Sequence, residues 1–208
     1  MLNIAVFGSG KGSNFQAILS AIQRGKIPDT RICLVVSNNS GAGILDIARA
    51  NSLPAVHLSQ KNFPLETEYV SAVLHTLQTH EANFVVLAGY MKRLHSEVIE
   101  AFRNRIINIH PALLPRYGGQ GMYGRYVHEA VLAAREVFSG ATVHVVDEDY
   151  DHGAIILQRK VPVFPDDTPE TLAARVLEVE HEIYPEAIRM FAEGKVNIRN
   201  NEHAIHHP

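Results

Sequence analysis

The chain has 208 residues, 46% hydrophobic and 20% charged, with a formal net charge of -3 at pH 7, which bounds it as one globular domain with ample core. That balance gives no electrostatic case for nucleic acid or an anionic membrane as partner. No apolar run nears the ~20 residues of a membrane-spanning helix.

The single cysteine, Cys33, lies in an apolar run and has no partner for an internal disulfide. It reads as a buried thiol in a reducing, cytoplasmic setting. The first residues enter a strand pattern without a charged and then apolar leader, so no signal peptide is expected.

Residues 3–7 read as a short buried strand, followed by a glycine-rich turn and a helix over 13–24. Phe15, Ile18, Leu19 and Ile22 carry the i, i+3, i+4, i+7 spacing of that helix. A strand over 31–37, a helix over 42–50 and a short strand over 54–58 follow. The helix over 65–80 has Val70, Val73, Leu74 and Leu77 on one stripe. Residues 84–88 are wholly apolar, as suits a strand covered on both faces.

A helical stretch at 96–102 leads to a strand over 106–109 and a long loop. A helix over 126–136 and a strand over 141–146 come next, and alternation over 154–163 predicts an edge or antiparallel strand. Thr168 is expected to cap a long helix ending near residue 192, with Pro169 and Glu170 in its favoured first turn and a kink at Pro185. Repeated strand–helix alternation predicts an α/β fold, a mostly parallel sheet with helices on both faces. One domain over 1–195 is expected, with 196–208, including His203, His206 and His207, as a solvated tail.

Gly8-Ser9-Gly10-Lys11-Gly12-Ser13-Asn14 joins the first strand to the first helix. Such a turn aims backbone N–H groups and the positive helix end at an anion. The glycine–lysine order of a Walker A loop fails here, and the third glycine of a dinucleotide fingerprint is replaced by Ser13. The second strand ends in Val36-Ser37-Asn38-Asn39, with no acid for a ribose hydroxyl. A single phosphate fits this loop; the alternative is a tight turn with Ser13 or Asn14 as a plain N-cap.

The run Ile106-Ile107-Asn108-Ile109-His110-Pro111 carries an amide and an imidazole two residues apart. Strand alternation puts Asn108 and His110 on one side, and Pro111 keeps His110 out of a following helix. Open α/β sheets place their chemistry at such strand ends. Further on, Asp147-Glu148-Asp149-Tyr150-Asp151-His152-Gly153 lacks the glycine and glutamate of a calcium loop. Asp151 reads either as part of a solvated loop or as the carboxylate that orients His110 and favours its protonated form. His144 sits inside an apolar strand, where a satisfied core histidine is the alternative to a functional one. No compact histidine spacing favours a metal.

Gly10-Lys11-Gly12-Ser13-Asn14, Leu87-Ala88-Gly89-Tyr90-Met91, Asn108-Ile109-His110-Pro111-Ala112-Leu113-Leu114-Pro115 and Asp151-His152-Gly153-Ala154-Ile155-Ile156-Leu157-Gln158 together resemble the glycinamide ribonucleotide transformylases, folate-dependent formyltransferases of purine biosynthesis. Glu180-His181-Glu182-Ile183-Tyr184-Pro185 extends the match, so it covers roughly residues 1–195.

The resemblance implies a seven-stranded, Rossmann-like three-layer sandwich. It implies formyl transfer from 10-formyltetrahydrofolate to the amine of glycinamide ribonucleotide, without a metal. Asn108 and protonated His110 would stabilise a tetrahedral intermediate, with Asp151 orienting His110. Gly12, Ser13, Asn14 and Glu180 would hold the ribonucleotide. Met91, Lys92, Arg93, Leu94, Asn108 and His144 would contact the folate. A cytoplasmic monomer or homodimer, acting on these small molecules alone, is expected.

The chain departs from the family pattern at three places. Glu66 aligns with a substrate-binding arginine, whose place Lys61 could take. Leu177 aligns with a polar residue, and the loop 117–124 is longer and richer in glycine, a candidate lid. The same trio would also serve a deformylase or a methionyl-tRNA formyltransferase, though each usually carries an additional domain. A phosphometabolite-binding module would need only the glycine loop.

Overall fold

The structure, a computed structural model, describes residues 1–196 and 198. The rest of the expected tail, with its three histidines, lies outside the described residues. The strands are β1 (Leu2–Phe7), β2 (Thr30–Ser37), β3 (Ala55–His57), β4 (Phe84–Leu87), β5 (Ile106–His110), β6 (Phe138–Val145) and β7 (Ile155–Pro162). The helices are α1 (Ser13–Gln23), α2 (Gly43–Ala50), α3 (Glu66–Thr79), α4 (Ser96–Ala101), α5 (Arg125–Ala133) and α6 (Pro169–Ala192).

The strands form one seven-stranded sheet in the order β3-β2-β1-β4-β5-β6-β7. β1 runs parallel to β2 and β4, and β2 parallel to β3. β7 closes the sheet antiparallel to β6, as its alternating pattern predicts. Among the described residues, no helix is long and apolar enough to cross a membrane.

The chain divides into two compact units, Met1–Ile107 and Asn108 onward. In the first, β1 is apolar and buried from Ile4 to Phe7. Phe15, Ile18 and Leu19 of α1, Ile44 and Leu45 of α2, and Leu34, Val35 and Val36 of β2 are buried with it. α3 buries Tyr69, Val70, Val73 and Leu77; relative to the predicted stripe, Tyr69 takes the place of Leu74.

In the second unit, α6 buries Leu172, Val176, Glu180, Ile183, Tyr184, Ala187 and Ile188. Thr168 caps it: its side chain accepts from Thr171 N, while the Thr171 hydroxyl accepts from Thr168 N. The helix continues as one element through Pro185, whose ring removes the N–H that the His181 carbonyl would otherwise receive.

Two boundaries differ from the periodicity by three residues. α5 stops at Ala133 rather than near 136, because Arg135 turns left-handed at φ 53°. Arg135 N–H then donates to Leu132 O and Glu136 N–H to Val131 O, the paired bonds of a Schellman ending.

β6 starts three residues earlier than the predicted 141, across Ser139 and Gly140. An added Cβ at Gly140 would lie 2.1 Å from the Arg159 carbonyl oxygen of β7. Glycine is therefore what lets the two backbones meet, and it does not end the strand. Gly140→Ala is expected to cost about 1–3 kcal/mol of stability through overpacking, read as a lower urea midpoint with unchanged slope.

Candidate active site

In the first unit the chain leaves β1 through the glycine turn. Ser9 N–H donates to Gly89 O at 3.0 Å and Gly8 N–H to Val36 O at 3.0 Å. The Ser9 hydroxyl accepts from Met91 N–H at 2.8 Å and donates to Asn38 Oδ1 at 2.5 Å. One serine thus ties the turn to both the end of β2 and residues 89–91.

Gly12 is the N-cap of α1, left-handed at φ 84°, and an added Cβ there would lie 2.9 Å from Ile44 Cα. No side chain caps the helix. Ser13 and Asn14 are its first helical residues, so neither acts as the plain N-cap that the alternative reading requires. The helix ladder takes none of the first-turn N–H groups, and Asn14 is buried among them.

Met91, Lys92 and Arg93 are exposed and Leu94 is buried. Glu66 opens α3 with Oε1 3.3 Å from His95 Nδ1, and its Oε2 accepts from Gln60 Nε2 at 3.3 Å. The Glu66 carboxylate is thus engaged with its neighbours. Lys61, the proposed replacement, is exposed in a short 3-10 turn.

In the second unit β5 delivers Asn108 and His110. His110 is 3% exposed and His144, on β6, 2%. Asn108 Nδ2 lies 3.2 Å from His144 Nε2, and His144 Nδ1 lies 2.9 Å from Val145 O. An amide N–H can only donate and a carbonyl can only accept. His144 Nδ1 therefore donates to Val145 O, and Nε2 pairs with the Asn108 amide and holds it in place. His144 Nε2 is also 3.5 Å from Asp151 Oδ1, a charged contact only if the ring gains a second proton.

His110 Nε2 donates to the Tyr117 carbonyl at 2.7 Å. Its other nitrogen, Nδ1, faces Asp151 Oδ2 at 3.5 Å, longer than a charge-assisted hydrogen bond. Asp151, with its side chain 12% exposed, also accepts from Gly119 N–H at 3.0 Å.

Burial pushes the His110 pKa below the usual imidazole value, against the upward pull of the Asp151 charge and the Tyr117 bond; nearby His144 adds to the lowering. Desolvation thus outweighs Asp151, and the resting, substrate-free ring is biased towards its neutral form. Asp151 feels burial upward most strongly, but His144, the His110 charge and Gly119 N–H together hold its carboxyl below the usual range.

His128 on α5 is also buried, its Nδ1 has no hydrogen-bond partner, and burial followed by the His110 charge lowers its pKa. Among the described residues, no group of three or more histidines, cysteines or acids is arranged to hold a metal.

The second unit therefore brings Asn108, His110, His144 and Asp151 into one cluster. Glu180 is buried on α6 of the same unit, whereas Gly12, Ser13, Asn14 and residues 91–94 belong to the first. Sequence reasoning missed three backbone or pairwise contributions: the Tyr117 carbonyl, the Gly119 N–H and the Asn108–His144 bond. Only the glycine-rich character of 117–124 hints at the first two.

Residues 2–188 match the Formyl transferase family. The chain belongs to that family. It is similar to the phosphoribosylglycinamide formyltransferase of Haemophilus influenzae, at 41% identity, over 97% of this chain and 92% of that one. It is 43% identical to the chloroplastic enzyme of that name from Vigna unguiculata, matching 93% of this chain but spanning only 62% of that protein's length.

Among solved structures, glycinamide ribonucleotide transformylase 1 from Symbiobacterium toebii superposes with a TM-score of 0.89 at 41% identity, covering 96% of this chain and 91% of that one. A formyltetrahydrofolate deformylase from Pseudomonas syringae shares the fold, with a TM-score of 0.85 at 23% identity, covering 97% of this chain and 65% of that one. The formyltransferase fold expected from the motifs is therefore the fold of this chain.

Proposed function

We propose that this formyltransferase moves the formyl group of 10-formyltetrahydrofolate to the primary amine of glycinamide ribonucleotide, in purine biosynthesis. The observation that carries the reading is the Asn108–His110–Asp151 cluster: a held amide donor beside a buried imidazole with a carboxylate behind it. Gly12, Ser13 and Asn14 would hold the ribose phosphate at the uncapped end of α1, and Glu180 the glycinamide end. Met91 to Leu94, Asn108 and His144 would line the folate site. The match of one family to residues 2–188 supports treating 1–195 as a single formyltransferase domain. A cytoplasmic monomer or homodimer completes the reading.

The cluster suits acyl transfer to an amine in three respects. Asn108 Nδ2 gives one N–H to His144, which orients its second N–H before reaction begins, so that it can stabilise the developing oxyanion with little reorganisation. His110, neutral with Nε2–H given to Tyr117, has the Nδ1 lone pair available as a base. As the amine lone pair bonds to the formyl carbon, the carbonyl electrons move to oxygen and an amine proton moves to Nδ1. The resulting imidazolium, faced by Asp151, offsets the oxyanion charge. Collapse breaks the bond from the formyl carbon to folate N10, and the proton leaves Nδ1 for N10, directly or through water.

The test is the folate absorbance change with glycinamide ribonucleotide present and omitted. Turnover that requires the ribonucleotide and yields its formylated product is expected. Formate release at the same rate without it would replace transfer by hydrolysis, and no turnover under either condition would remove the reading.

A further inference from the structure

Resting on that reading, we propose that Glu136 and Tyr117 are positioning residues that fix the tautomer of His110. Glu136 binds the Tyr117 phenol, and the Tyr117 carbonyl in turn takes the His110 Nε2 proton, reserving Nδ1 for chemistry.

The chain of contacts is continuous within the second unit. The Schellman ending of α5 sets the Glu136 backbone through its N–H bond to Val131 O. Glu136 Oε1 accepts from the Tyr117 hydroxyl at 2.7 Å, and Arg116 holds the same carboxylate with both Nη1, at 3.1 Å to Oε2, and Nη2. Tyr117 adopts φ 58°, a left-handed conformation unfavourable for a residue with a Cβ. It therefore needs an anchor, and packing on one side is poor. A cavity of ≈ 250 Å³ adjoins the ring, lined among others by Leu113, Arg116, Tyr117, Glu136, Ser139 and Lys160. The phenol–carboxylate bond is the tether that holds the ring at this cavity wall.

The consequence falls on His110. A neutral imidazole has one donor and one acceptor nitrogen, and the partner at one decides the role of the other. A carbonyl at 2.7 Å from Nε2 admits only a donor there, so Nδ1 carries the lone pair. Release of Tyr117 removes that constraint. The ring could then carry its proton on Nδ1 towards Asp151, and the base would be lost. The charged and titratable groups facing His110 are Asp151, His144 on β6 and His128 on α5. Around Glu136 they are Arg116 and Tyr117, with Lys160 across the cavity. None of these except Tyr117 is altered in the test.

The test compares Tyr117→Phe, which deletes a single oxygen, with Glu136→Ala and Glu136→Gln. In formyl transfer, Tyr117→Phe and Glu136→Ala should lower kcat by about tenfold, the low end for loss of an outer partner, with both KM values unchanged. The acidic limb of the kcat profile should move to lower pH, because the Tyr117 acceptor raises the His110 pKa. Glu136→Gln, whose amide oxygen still accepts from the phenol, should recover most of the rate.

Long-range 1H–15N spectra of the substrate-free protein, with His110 assigned through His110→Gln, should show the Nε2–H form. In Tyr117→Phe and Glu136→Ala they should show a tautomer mixture. Variants that lose rate or stability with an unmoved pH limb and an unchanged tautomer would overturn the inference, as would a tautomer mixture in the starting protein. The spectra stand whether or not the ribonucleotide is the acceptor, so failure of the proposed reaction is distinguishable from failure of this inference.

Discussion

His110→Ala is expected to lower kcat for formyl transfer by roughly 10²–10³-fold, the effect of losing one oxyanion-stabilising group. The substitution removes the base and the imidazolium it becomes, both of which act after substrate has bound. kcat and kcat/KM should therefore fall together, with KM little changed. Steady-state kinetics with each substrate varied in turn provide the check; turnover within a few-fold of the starting enzyme would reject His110 as the base.

The same variant also has a stability signature. The folded-state pKa of His110 lies below the unfolded value, so the unfolded chain binds this proton first as the pH falls. Stability therefore declines below about pH 6.5, the ordinary histidine value, until the folded ring also titrates. In His110→Ala that contribution to the pH slope disappears, and urea midpoints between pH 5 and 7 should vary less.

The alternation of Asn108 and His110 ahead of Pro111 placed both side chains on one side of a strand end, because strand period and proline geometry are local rules. The antiparallel β7 was legible for the same reason, as was the Thr168 cap. The local rules fail where a distant backbone decides. The strand expected from 141 starts at 138, across Gly140, whose missing Cβ leaves room for the distant Arg159 carbonyl. The environment of His110 is out of reach in the same way: Asp151 is visible in sequence as a charge, whereas near-complete burial of the ring is a tertiary property. The Tyr117 carbonyl is less legible still, since every residue carries a carbonyl and only the fold selects one. Ser9 was read as part of a phosphate turn, yet its hydroxyl joins that turn to Asn38 and Met91, residues 29 and 82 positions away.

Asp151→Asn is expected to cost on the order of 10²-fold in kcat and to displace the acidic limb of the kcat profile to lower pH. Asp151 is the largest influence that raises the His110 pKa, opposing the desolvation that lowers it. Without that charge burial is opposed only by the Tyr117 bond, and the imidazole becomes a weaker base that titrates further into the acid range. An asparagine amide keeps the size of the carboxylate, and its oxygen can still accept from Gly119 N–H, so the loop should stay in place and only the charge is lost.

Stability provides a second, independent readout. Burial favours the neutral Asp151 carboxyl, but His144, the His110 charge and Gly119 N–H together hold its folded pKa below the unfolded value near 3.9. The carboxylate thus contributes stability that is fully present above about pH 4 and is lost as the pH falls through the folded pKa. Asp151→Asn should therefore be less stable than the starting protein at pH 7, with the gap narrowing on acidification below pH 4. A variant with an unmoved kcat limb would break the pairing of Asp151 with His110, even if its activity were low. A gap that widened below pH 4 would show that the carboxyl is not held charged in the fold.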